Sequence, residues 1–122
     1  MFKTSKLLTA SFIIMISAAG QASAHAHLTS SVPADKSIVQ ASPAAVALNF
    51  SEELNIRFSG ATIAGTDGKR ISTGDAKLSD DGKTLTVPLP ESLDAGGYVV
   101  EWRVLSTDGH KTKGSYGFTV KP

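Results

Sequence analysis

The three histidines of this chain fall in two short stretches that could do metal chemistry together. His25 and His27 lie in Ala22-Ser23-Ala24-His25-Ala26-His27, and His110 ends Ser106-Thr107-Asp108-Gly109-His110. Ala22-Ser23-Ala24 has the small-residue A-x-A form that signal peptidase cuts, so His25 is the expected first residue of the mature protein. An N-terminal histidine offers its α-amine and its ring to one metal ion; before cleavage that nitrogen is an amide and a poor ligand. In the second stretch Asp108 and His110 are two apart, a spacing that puts both side chains on one side of an extended segment. Gly109 between them lets the backbone bend freely.

If the chain brings the two stretches together, the donors are the His25 amine, the His25 ring, the His110 ring and an oxygen of Asp108. Three nitrogens and one oxygen in a plane suit Cu(II), which prefers tetragonal N,O surroundings and heads the divalent affinity order. Zinc prefers a tetrahedron. The amine has a free pKa of about 7.7–8.0, so affinity should fall as pH drops. His27 opens a second mode, in which the amine, two backbone amides and the third-position ring chelate Cu(II). That mode needs a loose terminus and leaves Asp108 and His110 unused. A strand beginning at residue 28 favours the first mode, with His27 in a supporting role. Taken singly, each piece also has a plain reading: an exposed Asp-Gly-His is an ordinary turn.

Elements must exist to position these groups, and a compartment must supply the cleavage. Lys3 and Lys6 precede an apolar run of 13 residues, Leu7 to Ala19. Such a run fits a secretory signal and is short of the roughly 20 residues a membrane span needs. The expected organisation is a leader at 1–24 and one domain at 25–122. Removing the leader leaves 98 of the 122 residues, enough for one small core. Ten of the 12 Lys and Arg remain against 11 acids, a net charge near −1 that gives no footing for nucleic acid. There is no Cys, so neither a disulfide nor a thiolate ligand is available. Export without Cys points to a bacterial periplasm. No second hydrophobic span follows, and no membrane insertion of the mature chain is expected.

Alternating apolar residues predict about seven short strands. These are Leu28 to Val32, Val46 to Phe50, Phe58 to Ala64, Arg70 to Ser72, Thr84 to Leu89, Tyr98 to Leu105 and about Lys113 to Val120. Ser37-Ile38-Val39 reads as part of a connection, and Trp102 as a core residue. Turns at Thr66-Asp67-Gly68-Lys69, Ser79-Asp80-Asp81-Gly82-Lys83 and Asp94-Ala95-Gly96-Gly97 separate the strands. The pattern predicts an all-β, immunoglobulin-like antiparallel sandwich.

Several segments together resemble the CopC/PcoC copper-resistance family, and within it the short YobA-type periplasmic members. They are His25-Ala26-His27-Leu28, Ser31-Val32-Pro33-Ala34, Leu48-Asn49-Phe50-Ser51-Glu52, the run from Tyr98 to His110, and Lys113-Gly114-Ser115-Tyr116-Gly117-Phe118. The resemblance covers nearly all of the mature chain. It implies a cupredoxin-like Greek-key β-sandwich or barrel and a Cu(II) site with His25, Asp108 and His110 as ligands. It also makes Glu52 an acceptor that orients the amine or a ligand ring, where the residues alone read as a solvated strand-end carboxylate. An inner-membrane CopD-type copper permease is the implied partner, although no residue here marks a docking surface for it. Relatives with a Met-rich loop bind Cu(I) through thioethers, whereas Met1 and Met15 both lie in the leader here. The expected function is periplasmic Cu(II) binding for sequestration or delivery, in copper homeostasis or resistance, without catalysis. Two other classes stay open. One is a copper-dependent monooxygenase-like enzyme, which also uses a terminal-histidine brace; the other is a metal-free immunoglobulin-like interaction module.

Overall fold

The computed structural model describes residues 25–122, so the expected leader lies outside the described residues. Nine strands run through them: β1 (Leu28–Val32), β2 (Ser37–Val39), β3 (Ala45–Phe50), β4 (Gly60–Gly65), β5 (Arg70–Ile71), β6 (Lys77–Leu78), β7 (Thr84–Pro88), β8 (Gly96–Leu105) and β9 (Lys111–Val120). They form two open sheets, ordered β1-β3-β7-β6 and β2-β9-β8-β4-β5. Every pairing is antiparallel except β2 with β9. The all-β sandwich expected from alternation is the fold.

The core sits between the sheets because side chains alternate across each strand. Val46, Leu48 and Phe50 of β3 face inward with Leu85 and Val87 of β7, and Tyr98, Val100 and Val104 of β8 meet them with Tyr116, Phe118 and Val120 of β9. Tyr98 stacks on Phe118 at 5.7 Å between ring centroids, and Trp102 meets Phe50 edge-on at 5.1 Å. Trp102 is half-buried and packs against this core, as its strand face predicts.

The indole of Trp102 packs against Gly114 of β9. A Cβ on Gly114 would come 2.5 Å from Trp102 Cζ2, so the wide ring would have to shift. We expect Gly114→Ala to cost about 1–3 kcal/mol, the range of overpacked cores. Urea unfolding should show a lower midpoint at an unchanged slope; an unmoved midpoint would mean that the ring yields freely.

Two of the nine strands, β2 and β6, lie beyond the alternation pattern; β8 and β9 each start two residues before the expected Tyr98 and Lys113, and β4 starts two residues after Phe58. Ser37–Val39, expected as a connection, pairs in parallel with Phe118, Thr119 and Val120. A three-residue strand with Ile38 turned outward at 65 % exposure has no local signature. β6 has only two residues and pairs with β7. Phe58 does not begin a strand: Ile56–Phe58 is a 3-10 turn, capped where the Asn55 side chain accepts from Arg57 N–H, and Phe58 is 61 % exposed.

Candidate metal centre

β8 and β9 pair along their whole length, ending at Leu105 opposite Lys111, so residues 106–110 form the tip of a hairpin. The tip is tight. Ser106 N–H donates to the His110 carbonyl at 2.9 Å, and Gly109 N–H donates to the Ser106 carbonyl at 2.9 Å. Gly109 has φ +97°, which a side chain would strain. Asp108 and His110 therefore meet through a turn, where spacing alone predicted an extended segment.

Within the tip, Asp108 Oδ1 lies 3.1 Å from His110 Nδ1, and the buried Ser106 hydroxyl donates to the same oxygen. The Ser106 hydroxyl, and after it His110, holds the Asp108 carboxyl below the usual carboxylate range. Both members of the Asp108–His110 pair are about half exposed, at 48 % and 46 %, so water screens the pair and it adds little to stability. The segment after β3 braces the tip from outside: Thr107 N–H donates to the Glu53 carbonyl at 3.0 Å and Asn55 N–H to the Leu105 carbonyl at 2.8 Å.

The other half of the site arrives with the chain that enters β1. Ala26 is 1 % exposed and acts as a plug in the core. Its carbonyl accepts from Thr112 Oγ1 of β9 at 2.9 Å. The next residue is tied to β3's end, where His27 N–H donates to Ser51 Oγ and Ser51 N–H to the His27 carbonyl, each at 2.9 Å. With Ala26 and His27 tied down, His25 lies against the hairpin tip. Its ring centroid is 4.9 Å from that of His110, with the planes at 76°.

His25, Asp108 and His110, which are remote in sequence, are thus neighbours at one end of the sandwich. They do not form a finished cage. Among the described residues no group of three or more His, Cys, Asp or Glu side chains is placed to hold a metal ion. His27 is exposed, and its amide nitrogen is committed to Ser51, so the chelate through backbone amides would have to break that tie. Glu52 is half-buried beside Ser51, and no ion pair joins it to His25 or His110 among the described residues.

The supporting residues Ala26, Ser51, Ser106 and Thr112 were not singled out from the sequence. Only Ser106 had a local signal, a hydroxyl two residues before a carboxylate, which is a common turn closure.

The fold and site define a class: small two-sheet β domains with their polar chemistry at one end, on a hairpin tip and the entering strand. Within that class the chain belongs to the CopC family, whose domain matches residues 28–121. Protein YobA of Escherichia coli strain K12 is 52 % identical over 99 residues, covering 80 % of each chain. Copper resistance protein C of Escherichia coli is 41 % identical over 115 residues, 88 % of this chain and 90 % of that one. The crystal structure of PcoC, described as a methionine-rich copper resistance protein from Escherichia coli, superposes with a TM-score of 0.74 at 40 % identity. That match covers 80 % of this chain and all of PcoC.

Proposed function

We propose that the mature chain begins at His25 and is a periplasmic Cu(II)-binding protein that sequesters copper or delivers it to a partner. The observation that carries this reading is the His25 ring against the His110 ring, with Asp108 bonded to His110, in a domain of the CopC family. The donor set is the amine and ring of His25, the ring of His110 and an oxygen of Asp108. Nitrogen and oxygen donors favour the oxidised ion. Residues 25–122 contain neither Met nor Cys, so the soft sulfur donors that favour Cu(I) are missing from this stretch, in contrast to the methionine-rich PcoC. The role is binding and transfer, without catalysis.

His27 and Glu52 support the site rather than ligate: His27 through its backbone tie to Ser51, Glu52 as an orienting carboxylate. Among the described residues no helix is long and apolar enough to cross a membrane. An inner-membrane CopD-type permease is the partner that family membership favours.

The test is a Cu(II) titration of protein whose first residue is His25, repeated across pH, with paramagnetic resonance of the adduct. The amine and the imidazoles must shed protons to bind, and Asp108 stays ionised through this range because its carboxyl is held low. Copper competes with those protons, so affinity rises with pH. From pH 7.5 to 6.5 it should fall about tenfold as the amine is protonated. An affinity that stays flat from neutral pH into the acid range would defeat the ligand set.

A further inference from the structure

Beside the hairpin tip lies a groove of about 660 Å³ that the copper reading does not use. Its walls come from the 3-10 turn, β8 and β9. Arg57, Arg103, Lys111 and Lys113 line it, with Phe58 on one side and Val104, 2 % exposed, in the floor. No acidic residue lines it. Residues 25–122 hold ten Lys and Arg against 11 acids, so gathering four of the ten cations around one groove is a strong segregation of charge. None of the four makes an ion pair among the described residues. A shallower depression of about 450 Å³ continues it along β8 and β9, sharing Arg103 and Lys113 and adding the single carboxylate Glu101.

Two features ask for a protein occupant. Phe58 and Ile56, at 61 % and 40 % exposure, leave large apolar surfaces in water on the turn at the groove's rim. The cations stand around a concave floor, which a chain segment can enter and a flat bilayer cannot. The groove also touches the candidate metal centre: Lys111 follows His110, and Thr112 lines the groove while its hydroxyl holds the Ala26 carbonyl.

We propose that this groove docks an acidic segment of a partner protein, its carboxylates meeting Arg57, Arg103, Lys111 and Lys113 and an apolar side chain covering Phe58. Docking there brings the partner alongside His110. That the visit serves copper transfer rests on the proposed function; the docking itself does not.

The probe is a fluorescently labelled peptide of alternating Glu and Leu, measured by anisotropy against the whole mature chain with and without Cu(II). Saturable binding is expected at low salt, weaker at physiological salt because the attraction is charge-driven. The double reversal Arg57→Glu with Arg103→Glu should lower it at least ~10-fold, and Phe58→Ser should lower it severalfold. All these side chains lie outside the proposed ligand set, so Cu(II) affinity should stay unchanged in the variants. A copper result and a docking result can therefore fail separately. Lack of saturable binding, or binding indifferent to both variants, would overturn the proposal. So would a chain that ignores the peptide but is captured by phosphatidylglycerol vesicles through the same arginines, or one that uses them to self-associate in sedimentation.

Discussion

Adding a single residue before His25, so that the chain begins at Ala24, should lower Cu(II) affinity at least ~100-fold. Groups that merely orient a metal ligand are worth 10–100-fold in affinity, and the loss of a donor should equal or exceed the top of that range. The extension converts the α-amine into an amide, whose nitrogen has no lone pair to give without losing its proton, and it breaks the chelate ring that joins amine and imidazole on one residue. It leaves the fold alone, because Ala26 stays plugged in the core and Thr112 still holds its carbonyl. Competition against a chromophoric chelator reads the affinity, and loss of one nitrogen coupling in the resonance spectrum reads the cause. Equal affinity for the two chains would dismiss a terminal brace outright. His27→Ala serves as the internal control. The chelate through backbone amides would collapse in that variant, whereas the brace should keep its strength, since His27 is tied to the site through its backbone N–H, which donates to the Ser51 hydroxyl and survives the substitution.

The parts of this domain that could be read directly are those whose signal is local. Leu48 and Leu85, or Val100 and Tyr116, lie on faces that alternate every second residue, and both pairs end up opposite each other in register. β2 escaped because nothing near Ser37 announces Phe118 as its partner. Phe58 misled for the opposite reason. An aromatic beside Ser59 and Gly60 resembles a strand start, while Asn55 closes a turn there, its carbonyl accepting from Phe58 N–H and its side chain from Arg57 N–H.

The candidate site divides along the same line. Three histidines and one Asp-Gly-His are so few that their chemistry can be weighed by inspection. What brings them together cannot. The Ala26–Thr112 bond spans 86 positions and the His27–Ser51 tie spans 24, and each joins residue types that are unremarked in sequence. The basic groove is less legible still, since Arg57, Arg103 and Lys113 come from three elements and read singly as ordinary surface charges.

Replacing His110 with Ala should also lower Cu(II) affinity at least ~100-fold, again by loss of a donor. The more telling variant is Asp108→Asn. In the described structure Asp108 Oδ1 is already engaged three times, by the Ser106 hydroxyl, by the His110 backbone N–H and by His110 Nδ1. With that nitrogen facing a carboxylate, the other ring nitrogen of His110 is the one left for the metal, and the carboxylate fixes the ring's orientation and strengthens it as a base. Two roles for Asp108 then separate by experiment. If it orients His110, Asn keeps an acceptor oxygen in nearly the same place, the loss stays within about 10–100-fold, and the resonance spectrum retains its nitrogen and oxygen donor count. If it binds copper itself, an anionic oxygen donor is lost and the spectrum shifts along with the affinity. Ser106→Ala sharpens the distinction. It removes the hydroxyl that does most to hold Asp108 ionised, so the carboxyl should titrate nearer its ordinary value and copper binding should weaken earlier on the acid side. A His110→Ala chain that still binds Cu(II) with undiminished strength would mean that the hairpin tip and the entering strand are neighbours for packing alone.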